Sequence, residues 1–247
     1  RRVFLPAKNV HRPECTTDSN QQRYNYDWAG WELALDPAKL RKGGTWQEGL
    51  WHVGINVYAS GLVRRSGVWA RGGSAANFPP YQWLDDDFRL LPTVERSALK
   101  LRVEKVRALI TDRRLDGDAV EISGEIRVPL KSGETVTFRL SHNKSGEIRT
   151  YSVETAQQGS TTTFRARVPL ADVALLSTST VDDQAQPDRR RWSTVLVATA
   201  GDGTERQFSS VVREGLEDLS FDLPDSFGEE GADREIALTS GHNGYLK

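Results

Sequence analysis

Trp51-His52-Val53-Gly54-Ile55-Asn56-Val57-Tyr58-Ala59 is the stretch on which the fold turns. Its apolar side chains fall on every second residue, and a period of two puts them on one face of an extended chain. Ser60-Gly61 follows, and a second extended run leads from Leu62 towards Trp69, so the pair reads as a β-hairpin. The same alternation recurs over 99–106, 119–128, 135–140 and 164–168. Residues 192–200 are β-branched and apolar, and Gly201-Asp202-Gly203 turns them into a partner strand over 205–211. Turn signals return about every 8–12 residues, the spacing of sandwich folds. Only 37–40 and 170–175 read as helix, each about one turn long. The predicted class is all-β.

The order of features is repeated. In the first half a strand (Glu32-Leu33-Ala34-Leu35) leads to Asp36-Pro37-Ala38-Lys39-Leu40, then to Trp51, a strand, Gly61 and Arg64. In the second half Phe164-Arg165-Ala166-Arg167-Val168 leads to Pro169-Leu170-Ala171-Asp172-Val173, then to Trp192, a strand, Gly203 and Arg206. The expectation is two tandem immunoglobulin-like β-sandwich modules, residues 1–94 and 95–247, with an acidic segment near the end of the second.

Charge and aromatics divide in a similar way. Residues 1–100 carry 14 Lys/Arg against 10 Asp/Glu, and residues 101–247 carry 19 against 24. Six of the seven tryptophans lie between Trp28 and Trp83. A net charge of −1 is not that of a general nucleic-acid binder. No apolar run reaches the ~20 residues of a membrane-spanning helix, and the start does not read as a secretory leader. Cys15 is the one cysteine, so no disulfide forms within the chain; methionine is absent, and the chain is expected to be a fragment of a longer protein.

Catalytic patterns are missing from the sequence. There is no Gly-x-Ser-x-Gly, no phosphate-cradling glycine loop and no His-Glu-x-x-His. His11, His52, His142 and His242 are not paired at metal-ligand spacing. Cys15 has no neighbouring base, as an activated thiol requires. Asp85-Asp86-Asp87 has the oxygen chemistry of a hard-cation site, but consecutive acids point in different directions, and the run reads as a solvated loop. No catalytic residue, metal ligand or cofactor is expected.

Aromatic rings carry the binding argument. Sugar rings have apolar C–H faces that a flat indole covers, while nearby polar groups bind the hydroxyls. In Arg23-Tyr24-Asn25-Tyr26-Asp27-Trp28-Ala29-Gly30-Trp31, an extended chain would put Tyr24, Tyr26 and Trp28 on one face; the same row also reads as the core side of a sandwich. Trp28, Trp31, Trp46, Trp69 and Trp83 are the stacking candidates. Arg64, Arg65 and Arg71 are the phosphate candidates, since guanidinium forks match phosphate oxygens; solvated loops account for basic pairs as well. Asp27, Glu32 and Glu48 would be the carboxylates of a glycan-active enzyme, which needs two at a set separation.

The aromatic stretch over 23–35, the Leu40…Gly43-Gly44…Trp51-His52-Val53 stretch and the Gly61…Arg64-Arg65 hairpin resemble the accessory β region of Gram-positive, especially actinobacterial, cell-wall glycopolymer transferases. These are family 2 glycosyltransferases and CDP-glycerol glycerophosphotransferases of the teichoic-acid type. The closing Arg234-Glu235-Ile236-Ala237-Leu238-Thr239…Gly244-Tyr245-Leu246 is similar to the strand that ends such regions. The resemblance implies immunoglobulin-like modules that self-associate and hold the polymer, with catalysis in separate domains. Asp85-Asp86-Asp87 has the letters of that family's Asp-x-Asp site without the preceding parallel strand, so no catalytic role is carried onto it.

The expectation is therefore a non-catalytic accessory fragment that binds or positions an anionic sugar-containing polymer. Its partners would be a cell-wall glycopolymer or another glycan and, as a homo-oligomer, its own copies, with no nucleic acid and no transmembrane segment. It would act in the cytoplasm, or at the inner face of the membrane through the parent protein. The rival is an oligomerisation scaffold making only protein contacts.

Overall fold

Extended structure dominates a computed structural model of the chain, which describes residues 2–20, 24–59, 61–68, 80–142, 146–159, 161–174, 192–222, 235–240 and 245–246. The chain divides into two units, Arg1–Glu48 and Gly49–Lys247. The expected boundary between residues 94 and 95 lies inside a strand of the second unit, Phe88–Glu95, which pairs along its length with Ala98–Lys105.

The first unit is held by short-range contacts. Strand β1 (Lys8–Val10) pairs antiparallel with β2 (Gly30–Glu32), and a one-turn helix, α1 (Glu14–Ser19), lies between them in sequence. A 3-10 turn follows at Pro37–Leu40, where Asp36 accepts a hydrogen bond from the Ala38 N–H (3.0 Å) and Pro37 supplies the preset φ of a first helical residue. Among its described residues Leu40 is the one buried apolar side chain.

In the second unit β3 (Gly49–His52) and β4 (Gly54–Ala59) occupy the stretch quoted at the outset, with a break at Val53. There the chain leaves one sheet for another. β3 belongs to a four-stranded sheet with β6 (Gln82–Trp83), β7 (Phe88–Glu95) and β8 (Ala98–Lys105), in the order β3-β8-β7-β6. β4 pairs instead with β5 (Leu62–Gly67) as a separate two-stranded ribbon.

The remaining strands make a closed sheet. They are β9 (Ala108–Asp116), β10 (Ala119–Ile126), β11 (Thr135–His142), β12 (Ile148–Gln158), β13 (Thr161–Pro169), β14 (Trp192–Thr199) and β15 (Glu205–Val212), in the order β10-β13-β12-β11-β14-β15-β9. Every ladder is antiparallel except the closing one, where β15 runs parallel to β9 through Ser210↔Ala108 and Val212↔Ile110. Alternate side chains point inward, as in small barrels filled by their own residues. Ile110, Ile122, Ile126, Phe138, Phe164, Leu196 and Phe208 fill the interior, with Leu170 of a short helix, α2 (Leu170–Ala174), packed among them. A bulge between Ser123 and Gly124 lets β9 turn between its two partners.

Two buried arginines tie flanking chain to this barrel. Arg113 on β9 donates to the carbonyls of Leu216 and Glu217 and to Asp218 (3.1 Å), fixing the segment before β16 (Leu219–Asp222), which pairs with β17 (Glu235–Leu238). Arg89 on β7 lies between the rings of Tyr81 and Tyr245, at 5.2 and 4.4 Å, and its Nε donates to Glu104 (2.8 Å). The Tyr245 hydroxyl donates to the same carboxylate (2.7 Å), and the Leu246 N–H to the Ser210 carbonyl (3.0 Å).

The repeat read from the sequence maps onto unlike structures. Its second copy supplies β13, β14 and β15 of the barrel. Its first copy supplies β3 of the open sheet and the β4–β5 ribbon, and the described residues form one closed barrel.

Candidate functional site

The aromatic segment of the first unit is a turn where a strand was expected. Asn25 accepts from the Asp27 N–H (2.7 Å) and donates to the Asp27 carboxylate (3.2 Å), an Asx geometry that competes with extended chain. Thr16 of α1 completes it, accepting from the Tyr26 N–H (2.7 Å) and donating to Asp27. That hydrogen bond from Thr16, helped by Asn25 and by His11 at 3.8 Å, holds the Asp27 carboxyl below its usual range. Extended chain resumes only at Gly30, where a side chain would run into Arg12 and the Val10 carbonyl.

This turn carries its rings outward. Trp28 is 65% exposed, with the His11 ring 4.9 Å from its own, and Tyr24 is 67% exposed, edge-on to Tyr26 at 6.3 Å. Trp31 sits on β2 opposite Asn9 and is 39% exposed. Phe4 and Leu33 of the same unit are also exposed.

Two other candidates are partly occupied by neighbours. The Arg41 guanidinium lies over the Trp46 ring at 4.7 Å, and the Trp46 indole N–H is buried without an acceptor. Trp83 packs, as Tyr245 does, against the small apolar cluster of Val106, Leu109 and Val211, and lies edge-on to Tyr81. Trp69 and Arg71 lie outside the described residues.

Arg64 and Arg65 sit in mid-β5, opposite Val57 and Asn56. Both are exposed. Adjacent strand residues point to opposite faces, so the two guanidinium groups do not converge on one anion. Trp28, Trp31 and Trp46 belong to the first unit, and Arg64, Arg65 and Trp83 to the second.

Several other polar groups hold the fold. Asp85 accepts from the N–H groups of Asp87 (2.9 Å) and Phe88 (2.8 Å), which makes the three-acid run a turn. Among the described residues no three His, Cys, Asp or Glu side chains come together as metal ligands. Burial, then the hydrogen bond to Glu104, pushes the Tyr245 hydroxyl up to about 12; burial, then Asp172, does the same to Tyr151. Both phenols stay protonated at neutral pH. Arg139 grips Glu205 through two nitrogens (3.1 and 2.8 Å), and Arg206 binds Glu134, whose carboxyl it holds below the usual range.

No helix among the described residues is long and apolar enough to cross a membrane. Comparison with protein-family models, with curated proteins and with solved structures finds no match.

Proposed function

We propose that this chain is a non-catalytic accessory piece of a cell-wall glycopolymer transferase, and that its first unit grips a sugar-containing anionic polymer of the teichoic-acid kind in the cytoplasm or at the inner membrane face. The observation that carries the reading is the outward display of Trp28 and Tyr24 on a turn fixed by Thr16, Asn25 and Asp27, with Trp31 exposed on the strand that follows. Rigidly held rings lose little freedom when a sugar covers them. In this reading the closed barrel is an immunoglobulin-like sandwich, its first strand shared between the β10-β13-β12 and β11-β14-β15 halves, and it serves as scaffold.

Retention on immobilised teichoic-acid polymer tests the reading. A Trp28→Ala, Trp31→Ala double variant loses two stacking surfaces worth about 1 kcal/mol each, so binding weakens by roughly thirty-fold. Equal retention by the double variant and the wild type overturns the stacking role. The exposed Phe4 and Leu33 of the same unit favour a second reading, a scaffold making only protein contacts. Light scattering over a concentration series then gives a stable oligomer that the same double variant breaks, with no binding of polymer.

A further inference from the structure

The β4–β5 ribbon, like β16–β17, is a two-stranded sheet of its own, but it carries exposed apolar side chains on both of its faces. It is anchored only at its root, where Leu99 donates to Val68 (2.8 Å), Val68 to Val53 (3.2 Å) and Val53 to Leu99 (3.4 Å). Beyond that point no third strand among the described residues joins it. A lone two-stranded hairpin is marginally stable in water, so exposing apolar groups on it is costly unless something receives them. This one exposes them on both faces. Tyr58 (73%) and Val63 (45%) are opposite each other on one face; Val57 (49%) and Leu62 (64%) lie on the other. Packing against a single flat protein surface would cover one face and leave the other wet. A medium that surrounds the tip covers both.

Charge identifies the medium. From Gly49 to Leu84 the chain has no Asp or Glu, while Arg64 and Arg65 stand on the ribbon itself. At about 3.3 Å per residue they sit about 7–10 Å behind Leu62. That matches the 5–10 Å to which interfacial elements sink their apolar side chains below the headgroups. In the sheet at the ribbon's root, the Glu95 carboxylate is bound by Lys100 and lies 3.7 Å from Arg102. Among the described residues each strand also keeps one unpaired backbone edge, which confines the ribbon to the hydrated interface and keeps it out of the hydrocarbon.

We infer that the β4–β5 ribbon is a membrane-docking arm: Val57, Tyr58, Leu62 and Val63 enter the interface of an anionic bilayer, and Arg64 and Arg65 meet lipid phosphates. This goes beyond the glycopolymer reading and does not depend on it.

Co-sedimentation of the full chain with vesicles tests the arm, using phosphatidylcholine alone and phosphatidylcholine with one quarter phosphatidylglycerol. The expected result is binding to the anionic vesicles that weakens with salt. Arg64→Ala with Arg65→Ala lowers that binding about thirty-fold, and Tyr58→Ser with Leu62→Ser lowers it at least about ten-fold while leaving retention on soluble teichoic-acid polymer unchanged. All four side chains are exposed, so circular dichroism of the variants should match wild type. Absence of binding to anionic vesicles overturns the proposal. So does vesicle binding that the serine pair leaves intact, because a free phosphate site needs only the arginines. A chain that self-associates through the ribbon overturns it too, shown by light scattering that returns to monomer in the serine pair. Failure of the tryptophan variants on polymer leaves this outcome untouched, so the two readings stand or fall separately.

Discussion

At Gly124 a single methyl group has nowhere to go. The residue faces Ile110 across the β9–β10 bulge, and a Cβ there would run into the Leu109 carbonyl and the edge of the Phe164 ring. Neither moves freely: one is backbone and the other is core. Gly124→Ala is expected to destabilise the second unit by about 3 kcal/mol, the upper range for overpacking, measured by urea unfolding. Gly201→Ala, at a turn with open space around it, is the control and should stay within about 0.5 kcal/mol. The tryptophans make the complementary point about what composition conveys. Trp28 and Trp83 are indistinguishable as letters; one stands on a turn tied down by Thr16, the other packs against a cluster that includes Val211, far away in sequence. Only tertiary contacts separate them.

Elements with clean alternation could be read from the sequence, because a period of two reports one wet face and one dry face. β11 and β13 are of this kind; β8 and β10 alternate in sequence but are mostly buried or half-buried on both faces, β14 and β15 followed from β-branched apolar residues and the turn at 201–203, and the short helices at 37–40 and 170–174 follow Asp36-Pro37 and Pro169. β7 was not legible in this way. Its Leu90-Leu91 pair is buried on both faces and Pro92 imitates a linker, yet Pro92 pairs with Leu101 inside a ladder. The segment at 24–28 failed the other way: alternating rings promised a strand, and local hydrogen bonds from Asn25 made a turn. The strangest side chain in β7 is Arg89, fully buried between two tyrosines with Glu104 as its counter-ion. Glu104→Ala leaves that cation uncompensated and should cost about 3 kcal/mol. The checking measurement is a denaturant midpoint, alongside faster proteolysis of the last residues, since Tyr245 loses its acceptor too.

For the whole molecule the asymmetry of the two units matters most. The apolar clusters built around Phe138 and around Val106 lie within residues 49–247, whereas the first 48 residues bury Leu40 alone among their described apolar side chains. Residues 49–247 expressed alone should unfold in one cooperative transition by calorimetry, and residues 1–48 alone should give the circular dichroism of an unfolded chain. The sequence's tandem pattern conveyed the β class and the second set of strands. It did not convey where the chain divides, because pairing of β7 with β8 across the expected boundary is a matter of long-range register.

The closing ladder of the barrel sets its mechanics. β9 and β15 lie side by side and point the same way, and the Arg213 N–H extends their bonding to Ile110 (3.0 Å). Tension applied before Ala108 and beyond Val212 therefore pulls the two strands past each other lengthwise. Their bonds share that load together and do not open one after another like a zipper. The barrel is a link that withstands stretching between whatever is attached at its two ends.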